Sequence, residues 1–266
     1  MEKITAMDNF ETLTYGVENR VATIALNRPK TLNAINQTMR RELNQLIAAI
    51  EQDQAIRIVV IRAAGRGFSA GTDLSEGLAG YSTIDEQIQQ EYKPILMAIA
   101  QSSKLYIAAI QGACVGIGAA LAMSCDLAVM ADDAYLYLAF ASLGLVPDGG
   151  MSHHLVNALG YKKALQLFAE AAKLSAAECE KYGLINKRVA SDALESQTQI
   201  WAQALAKGAP LSQQFGKHIL RNVHTSSFEQ TLDLESKLQT TCSTSQDSQN
   251  AIMAFFDKKE AEFIGR

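Results

Sequence analysis

The chain has 266 residues, is 48% hydrophobic and 20% charged, and carries a net charge of −4. That length supports one large domain, or a core with a smaller appendage. The charge excludes a basic field able to hold nucleic acid or an acidic membrane, and no stretch approaches the roughly 20 apolar residues of a membrane span.

In chain order, Val21–Leu26 reads as a short buried strand rich in β-branched residues. A helix follows, with Ile35, Met39, Leu43, Leu46, Ile47 and Ile50 on one face. Ile58–Ile61 and Ile107–Ile110 read as two more strands. A glycine turn and the small-residue run Ala119–Ala122 come next, then strands at Leu127–Met130 and Tyr135–Leu138. Strands separated by helices predict parallel pairing through crossovers. From about residue 150 onward the pattern is almost entirely helical, with Ser175 and Glu178 spaced as a capping box. The four cysteines, Cys114, Cys125, Cys179 and Cys242, show no CxxC spacing, which points to reduced thiols in a cytoplasm. The N-terminal residues lack the apolar run of a signal peptide, and the C-terminal residues are not a peroxisomal address. A cytoplasmic location is therefore expected.

Two glycine-containing turns follow strands, Arg66 to Asp73 and Gly112 to Gly118. Glycine lets backbone approach a ligand closely, and turns that enter helices leave N–H groups free. Two such groups aimed at one oxygen would stabilise an oxyanion. Gly116-x-Gly118 lacks the third glycine of a dinucleotide fingerprint, because Leu121 stands there, and no P-loop sequence follows. Taken singly, either turn reads equally as plain turn chemistry. Asp73 also fits a helix N-cap, with Glu76 three residues on.

Together these segments resemble the crotonase, or enoyl-CoA hydratase/isomerase, superfamily. The resemblance rests on Leu26 to Ala34, on Ser69 to Asp73 (an AGxD loop), and on Gln111 to Gly118 with Cys125 and Asp126. It continues through Leu143 to Gly150, Lys173 to Ala176 with Gly183 to Asn186, and Ala254 to Lys259. It implies an α/β fold: a repeated ββα spiral core over residues 1–200, then a helical trimerisation region over residues 201–266. It implies a homotrimer or homohexamer, an acyl-CoA substrate, and no cofactor beyond the coenzyme A that the substrate itself carries. The thioester oxygen would sit between the backbone N–H groups of Thr72 and Ile117. Arg28 and Lys30 would meet coenzyme A phosphates, with two solvated surface charges as the alternative. Ser69 and Ala70 would offer backbone atoms to the adenine or pantetheine arm. Phe255 and Lys258 would close over the nucleotide, from the same or a neighbouring subunit.

The chain departs from the hydratase pattern where two glutamates are expected, because Ala120 and Phe140 stand there. Neither side chain transfers a proton. One acid remains in the Leu143 to Gly150 segment, Asp148, at a position that resembles the one supplying an acid in isomerase branches of the superfamily. An apolar surround including Phe140, Val146 and Ile117 would raise its pKa towards a useful range. The alternative is a turn aspartate capping the helix that starts near Gly149. The expectation is an enoyl-CoA isomerase with Asp148 as proton shuttle. Hydratase-like activity, thioester hydrolysis or dehalogenation, and a non-catalytic acyl-CoA binder stand as alternatives. Trp201, the only tryptophan, lies far in sequence from the position a dehalogenase needs. His153 and His154, adjacent on a helix, point about 100° apart and make a poor metal pair, so no metal is expected. Tyr81 and Tyr92 are candidates to line an acyl tunnel.

Overall fold

The computed structural model describes residues 10–266, so the reading of the N-terminal residues as leaderless lies largely outside them. The chain opens with a hairpin of β1 (Leu13–Glu18) and β2 (Val21–Leu26), paired antiparallel with Leu13 opposite Leu26. Its two turn residues, Asn19 and Arg20, both have positive φ, as a tight hairpin matched to strand twist requires. The sequence reading omits β1, although Leu13, Tyr15 and Val17 alternate towards the core with the exposed Thr14, Gly16 and Glu18.

Helix α1 (Gln37–Gln52) starts two residues later than its apolar periodicity suggests. Asn36 caps it, accepting from the Met39 N–H at 3.0 Å. Ile35 stays extended and pairs elsewhere, with consequences for the site. After β3 (Ile58–Ala63) come α2 (Ile84–Gln87), a π-helical turn at Ile88–Tyr92, and α3 (Lys93–Gln101). Pro94, which has no N–H, interrupts the i→i−4 ladder next to that widened turn.

The middle of the chain winds between two sheets. β4 (Leu105–Ile110), β6 (Leu127–Ala131) and β9 (Lys187–Val189) extend the first sheet, giving the order β1-β2-β3-β4-β6-β9. All its pairings beyond the hairpin are parallel, as the alternation of strands and helices predicts. β5 (Ala113–Val115), β7 (Tyr135–Tyr137) and β8 (Lys173–Ser175) form a second, three-stranded sheet. Between β5 and β6 lies α4 (Ile117–Ser124), buried along its whole length. The residues after 150 are therefore not purely helical: β8 pairs antiparallel with β7, and β9 pairs with β6. Three-residue strands carry no usable periodicity, and only their earlier partners make them strands.

α5 (Met151–Ala169) bends at Gly160, whose φ is 72°. α6 (Ala176–Lys181) opens with the expected capping box of Ser175 and Glu178. α7 (Leu194–Ala206) runs through residue 200 and packs against β2, β3, β4 and β6. α8 (Pro210–Asn222), α9 (Phe228–Ser243) and α10 (Gln246–Phe256) complete the chain. No helix of the described residues is long and apolar enough to cross a membrane.

A buried ion cluster fastens α8 to the core. Lys217 Nζ donates to the carbonyls of Ile99 and Lys104 and pairs with Asp126 Oδ2 at 2.9 Å. Arg221 pairs with Asp126 Oδ1 at 2.6 Å. Removing one partner of such a cluster strands a buried charge. Asp126→Ala is expected to cost about 3–5 kcal/mol of stability, measured by urea unfolding.

Candidate active site

The Ser69 to Asp73 loop is held by nearly every backbone N–H it has. Ser69 pairs with β5: its N–H donates to the Ala113 carbonyl, and its carbonyl accepts from the Val115 N–H. The Ala70 N–H donates to Leu32 O at 2.8 Å, and the Gly71 N–H to Ser69 Oγ at 3.2 Å. Ile35 bridges the far end, sending its N–H to Gly71 O and accepting from the Asp73 N–H. The Thr72 N–H is the one left over, with no acceptor among the described residues. Gly71 has φ of 95°, and a Cβ there would stand 3.1 Å from Val115 O and 3.9 Å from Ile117 N. Glycine is needed for that close approach.

Ile117 is the first residue of α4, where a backbone N–H has no intrahelical partner. Gly116 precedes it with φ of 52° and gives no side-chain cap. The Ile117 N–H thus stays free at the positive end of the helix dipole. Gly118 lies hard against Ser69, since a Cβ there would be 2.5 Å from Ser69 Cβ. Thr72 and Ile117 are therefore brought into adjoining turns, each with an unspent N–H.

Asp148 sits at the edge of the same region. The next residue, Gly149, is so close that a Cβ would meet Ile117 Cδ1 at 2.4 Å and Ala120 Cβ at 2.6 Å. The Asp148 side chain does not cap α5. The capping position is Gly150, without a side-chain bond, and only the Asp148 carbonyl takes part, accepting from the Met151 N–H at 3.0 Å. Asp148 Oδ1 is buried with no hydrogen-bond partner. Burial pushes its carboxyl up to about 6, its own backbone N–H being the smaller, opposing effect. Of the proposed apolar neighbours, Ile117 and Phe140 are buried, but Val146 is exposed.

Behind Gly149 and Gly150 lies a cavity of about 930 Å³, with Leu96, Met97, His154 and Phe215 among its walls. Leu96 separates it from a small apolar gap shared by Ile117 and Tyr92. Burial pushes His154 down to about 4, so its imidazole is neutral at pH 7. Among the described residues no three His, Cys, Asp or Glu side chains gather as a metal site. Cys114 is fully buried, and burial raises its thiol well above the usual range, which makes it a packed residue.

Several expected contacts are redistributed. Ser69 is not available to a ligand: it is fully buried, its backbone atoms are spent on β5, and its hydroxyl donates to Asn33 O at 2.8 Å. Ala70 keeps only its carbonyl free. The Arg28 guanidinium pairs with Asp73 at 2.8 Å and donates to Ala34 O at 2.6 Å, so it braces the loop instead of reaching freely outward. Asp73 does cap the short turn Leu74–Glu76; its bonds from Ser75 and Arg28 hold its carboxyl below the ordinary range. Glu76 is drawn away to receive the Gln37 N–H. Lys30 is exposed. Phe140 is buried at the start of the turn leading to Asp148. Phe255 is 78% exposed at the end of α10, stacked edge-on with Phe256, and Lys258 is exposed just beyond it.

Two supporting residues have no assigned role in the motifs. Asn33, fully buried with φ of 55°, donates to the carbonyls of Ala64 and Gly67 and accepts from the Arg28 N–H. It ties three loops together, and asparagine tolerates that left-handed backbone well. Arg40 is fully buried on α1, bonded to Glu91, Tyr92 and the Ile35 carbonyl. A signal existed for it: Arg40, Leu43 and Ile47 share the apolar helix face, and a charge there requires buried partners.

The enoyl-CoA hydratase/isomerase family model matches residues 16–266. The chain is 31% identical over 254 residues to the 1,2-epoxyphenylacetyl-CoA isomerase of Escherichia coli (strain K12), covering 94% of this chain and 97% of that protein. It is 28% identical over 262 residues to the trans-2-decenoyl-acyl-carrier-protein isomerase of Streptococcus mutans, covering 97% and 100%. The solved structure of enoyl-CoA hydratase subunit I from Geobacillus kaustophilus HTA426 superimposes with a TM-score of 0.91 at 28% identity, covering 97% and 99%. The α/β architecture described above is thus shared with solved hydratases of that family.

Asn33→Ala would leave the buried Gly67 carbonyl without its partner, and the half-buried Ala64 carbonyl and Arg28 N–H to water. It is expected to cost about 1–3 kcal/mol for the buried group, read as a lowered denaturant midpoint.

Proposed function

The chain belongs to the enoyl-CoA hydratase/isomerase family, and from that premise we propose that it moves the double bond of an enoyl-CoA, with Asp148 carrying the proton. The observation behind this reading is a single buried carboxyl oxygen without a partner, beside two unspent N–H groups. A carboxyl left so costs stability, and a protein that only bound thioesters would have no use for it.

The chemistry follows from that arrangement. Ionised Asp148 takes a proton from the carbon flanked by the thioester and the double bond. Electrons move onto the thioester oxygen, where the Thr72 and Ile117 N–H groups and the α4 dipole meet the new charge. Each fixed donor is worth about 3–4 kcal/mol of barrier. The protonated carboxyl then returns its proton at the other end of the allyl system. Proton and charge balance, and no cofactor is consumed. With Ala120 and Phe140 at the glutamate positions, no pair of carboxylates holds a water for addition. The cavity behind Gly149 supplies room for the acyl tail. Lys30 and the Ala70 carbonyl are the contacts left open to coenzyme A. The exposed Phe228, Leu232, Ile252, Met253, Phe255 and Phe256 on α9 and α10 support a trimer-forming C-terminal region.

The test is a panel of acyl-CoA thioesters, followed by the absorbance of conjugated product and by release of free coenzyme A. Asp148→Asn is expected to lower turnover of a 3-enoyl-CoA roughly a hundredfold or more; undiminished turnover would sink the proposal. The wild-type kcat should fall as pH drops through about 6, because the base must be ionised. Stability runs the other way. Folding raises this pKa above the ordinary 3.8, so stability is full below 3.8 and is lost as pH rises through about 6. Asp148→Asn should therefore raise Tm at pH 8 relative to its effect at pH 4, read by calorimetry.

A further inference from the structure

We infer that the Tyr92 hydroxyl, backed by the buried Arg40, is a positioning residue that aims the Thr72 N–H at the thioester oxygen. The inference rests on the thioester reading of the two glycine turns and is independent of the role of Asp148.

Tyr92 is only 5% exposed and ends the π-helical turn. Its oxygen accepts from Arg40 Nη1 at 3.2 Å. That bond turns the phenol proton away from Arg40, and it donates to Thr72 Oγ1 at 3.2 Å. The same Arg40 Nη1 donates to Ile35 O at 3.1 Å. Ile35 O also receives the Asp73 N–H, and the Ile35 N–H goes to Gly71 O. One guanidinium therefore grips Thr72 from both sides, its backbone flanks through Ile35 and its side chain through Tyr92.

Arg40 cannot drift. Its Nε is paired with Glu91, Nη1 lies 3.6 Å from Glu76, and its guanidinium carbon stands 4.9 Å from the Tyr92 ring centre. Glu91 is itself fixed by Gln37 Nε2 at 3.2 Å. The π turn matters because it buries Glu91 and Tyr92 together, adjacent residues that both face inward. π turns of this kind recur at functional sites. The Tyr92 ring shares an apolar gap with Ile35, Leu96 and Ile117, so one side chain touches the surroundings of both N–H donors.

A purely structural role would be met by packing of the ring alone. The hydroxyl is explained by its partner: a threonine side chain pinned from 20 residues away, next to the one unspent N–H of the loop. Small misplacement of a donor is costly in rate, up to about a hundredfold for roughly 1 Å.

The experiment compares Tyr92→Phe, Thr72→Val and the double variant as full-length protein. Thr72→Val keeps the backbone N–H and loses only the hydroxyl that Tyr92 holds. The first readout is the carbonyl stretch of bound, carbonyl-labelled hexanoyl-CoA, a saturated thioester that needs no turnover. The second is kcat and KM on a 3-enoyl-CoA. Each single variant should shift the stretch back towards its value in water and lower kcat roughly tenfold or more, with KM within about threefold. The double variant should match the singles, because both break one bond. Thr72→Ser, which keeps the hydroxyl, should recover most of what Thr72→Val loses. An unshifted carbonyl in Tyr92→Phe, or losses that multiply in the double variant, would overturn the inference. If Tyr92→Phe does not fold, an unshifted carbonyl in Thr72→Val overturns it alone. If the wild type isomerises nothing yet polarises the bound carbonyl, the isomerase reading fails while this inference is still decided by the stretch.

Discussion

Buried backbone must spend its hydrogen bonds, and the site exists because one residue between two bridges does not. Ser69 is committed to β5 and Gly71 and Asp73 to Ile35, so the loop has little freedom to re-form. What remains is the Thr72 N–H on one side and the first N–H of α4 on the other. Because those groups are main-chain donors in a rigid frame, little reorganisation would be needed if they met charge on a bound oxygen, as proposed above. Gly71, Gly116 and Gly118 stand at these turns because a side chain would either strain the backbone or collide with the neighbouring loop.

Polar groups buried around that frame divide into two kinds. Asn33, Arg28 and Arg40 are bonded to other loops and give the frame its shape, with only Arg40 Nη2 buried and unpartnered. Asp148 does not: its buried oxygen is unpaired, and burial lifts its pKa to about 6. The first kind rigidifies, and the second costs stability.

The C-terminal helices relate to the core differently. Lys217 and Arg221 converge on Asp126, tying α8 to the core where α4 gives way to β6. Beyond it, α9 has no buried residue, and Phe228 and Leu232 on α9 and Ile252, Met253, Phe255 and Phe256 on α10 are exposed. The large cavity runs between core helices and α8 and α9, so the anchoring of α8 also shapes that cavity.

Much of this was legible in the sequence. Long β-branched runs marked the central strands, apolar periodicity marked α1, and glycine placement marked both turns, because these are local properties of consecutive residues. The order of motifs singled out Thr72, Ile117 and Asp148, and Ala120 and Phe140 where glutamates were expected, as candidates without coordinates. Other features appeared only when distant segments met. β5, β8 and β9 are three residues each and become strands through pairing alone. Ser69, read as a ligand contact, is consumed by β5, and Arg28 by Asp73. Arg40 reaches Tyr92 across 52 positions and Glu91 across 51. Whether an N–H or a carboxyl oxygen is spent depends on what packs against it in three dimensions. Local sequence sets which groups are offered, and packing between distant segments leaves a few of them without partners.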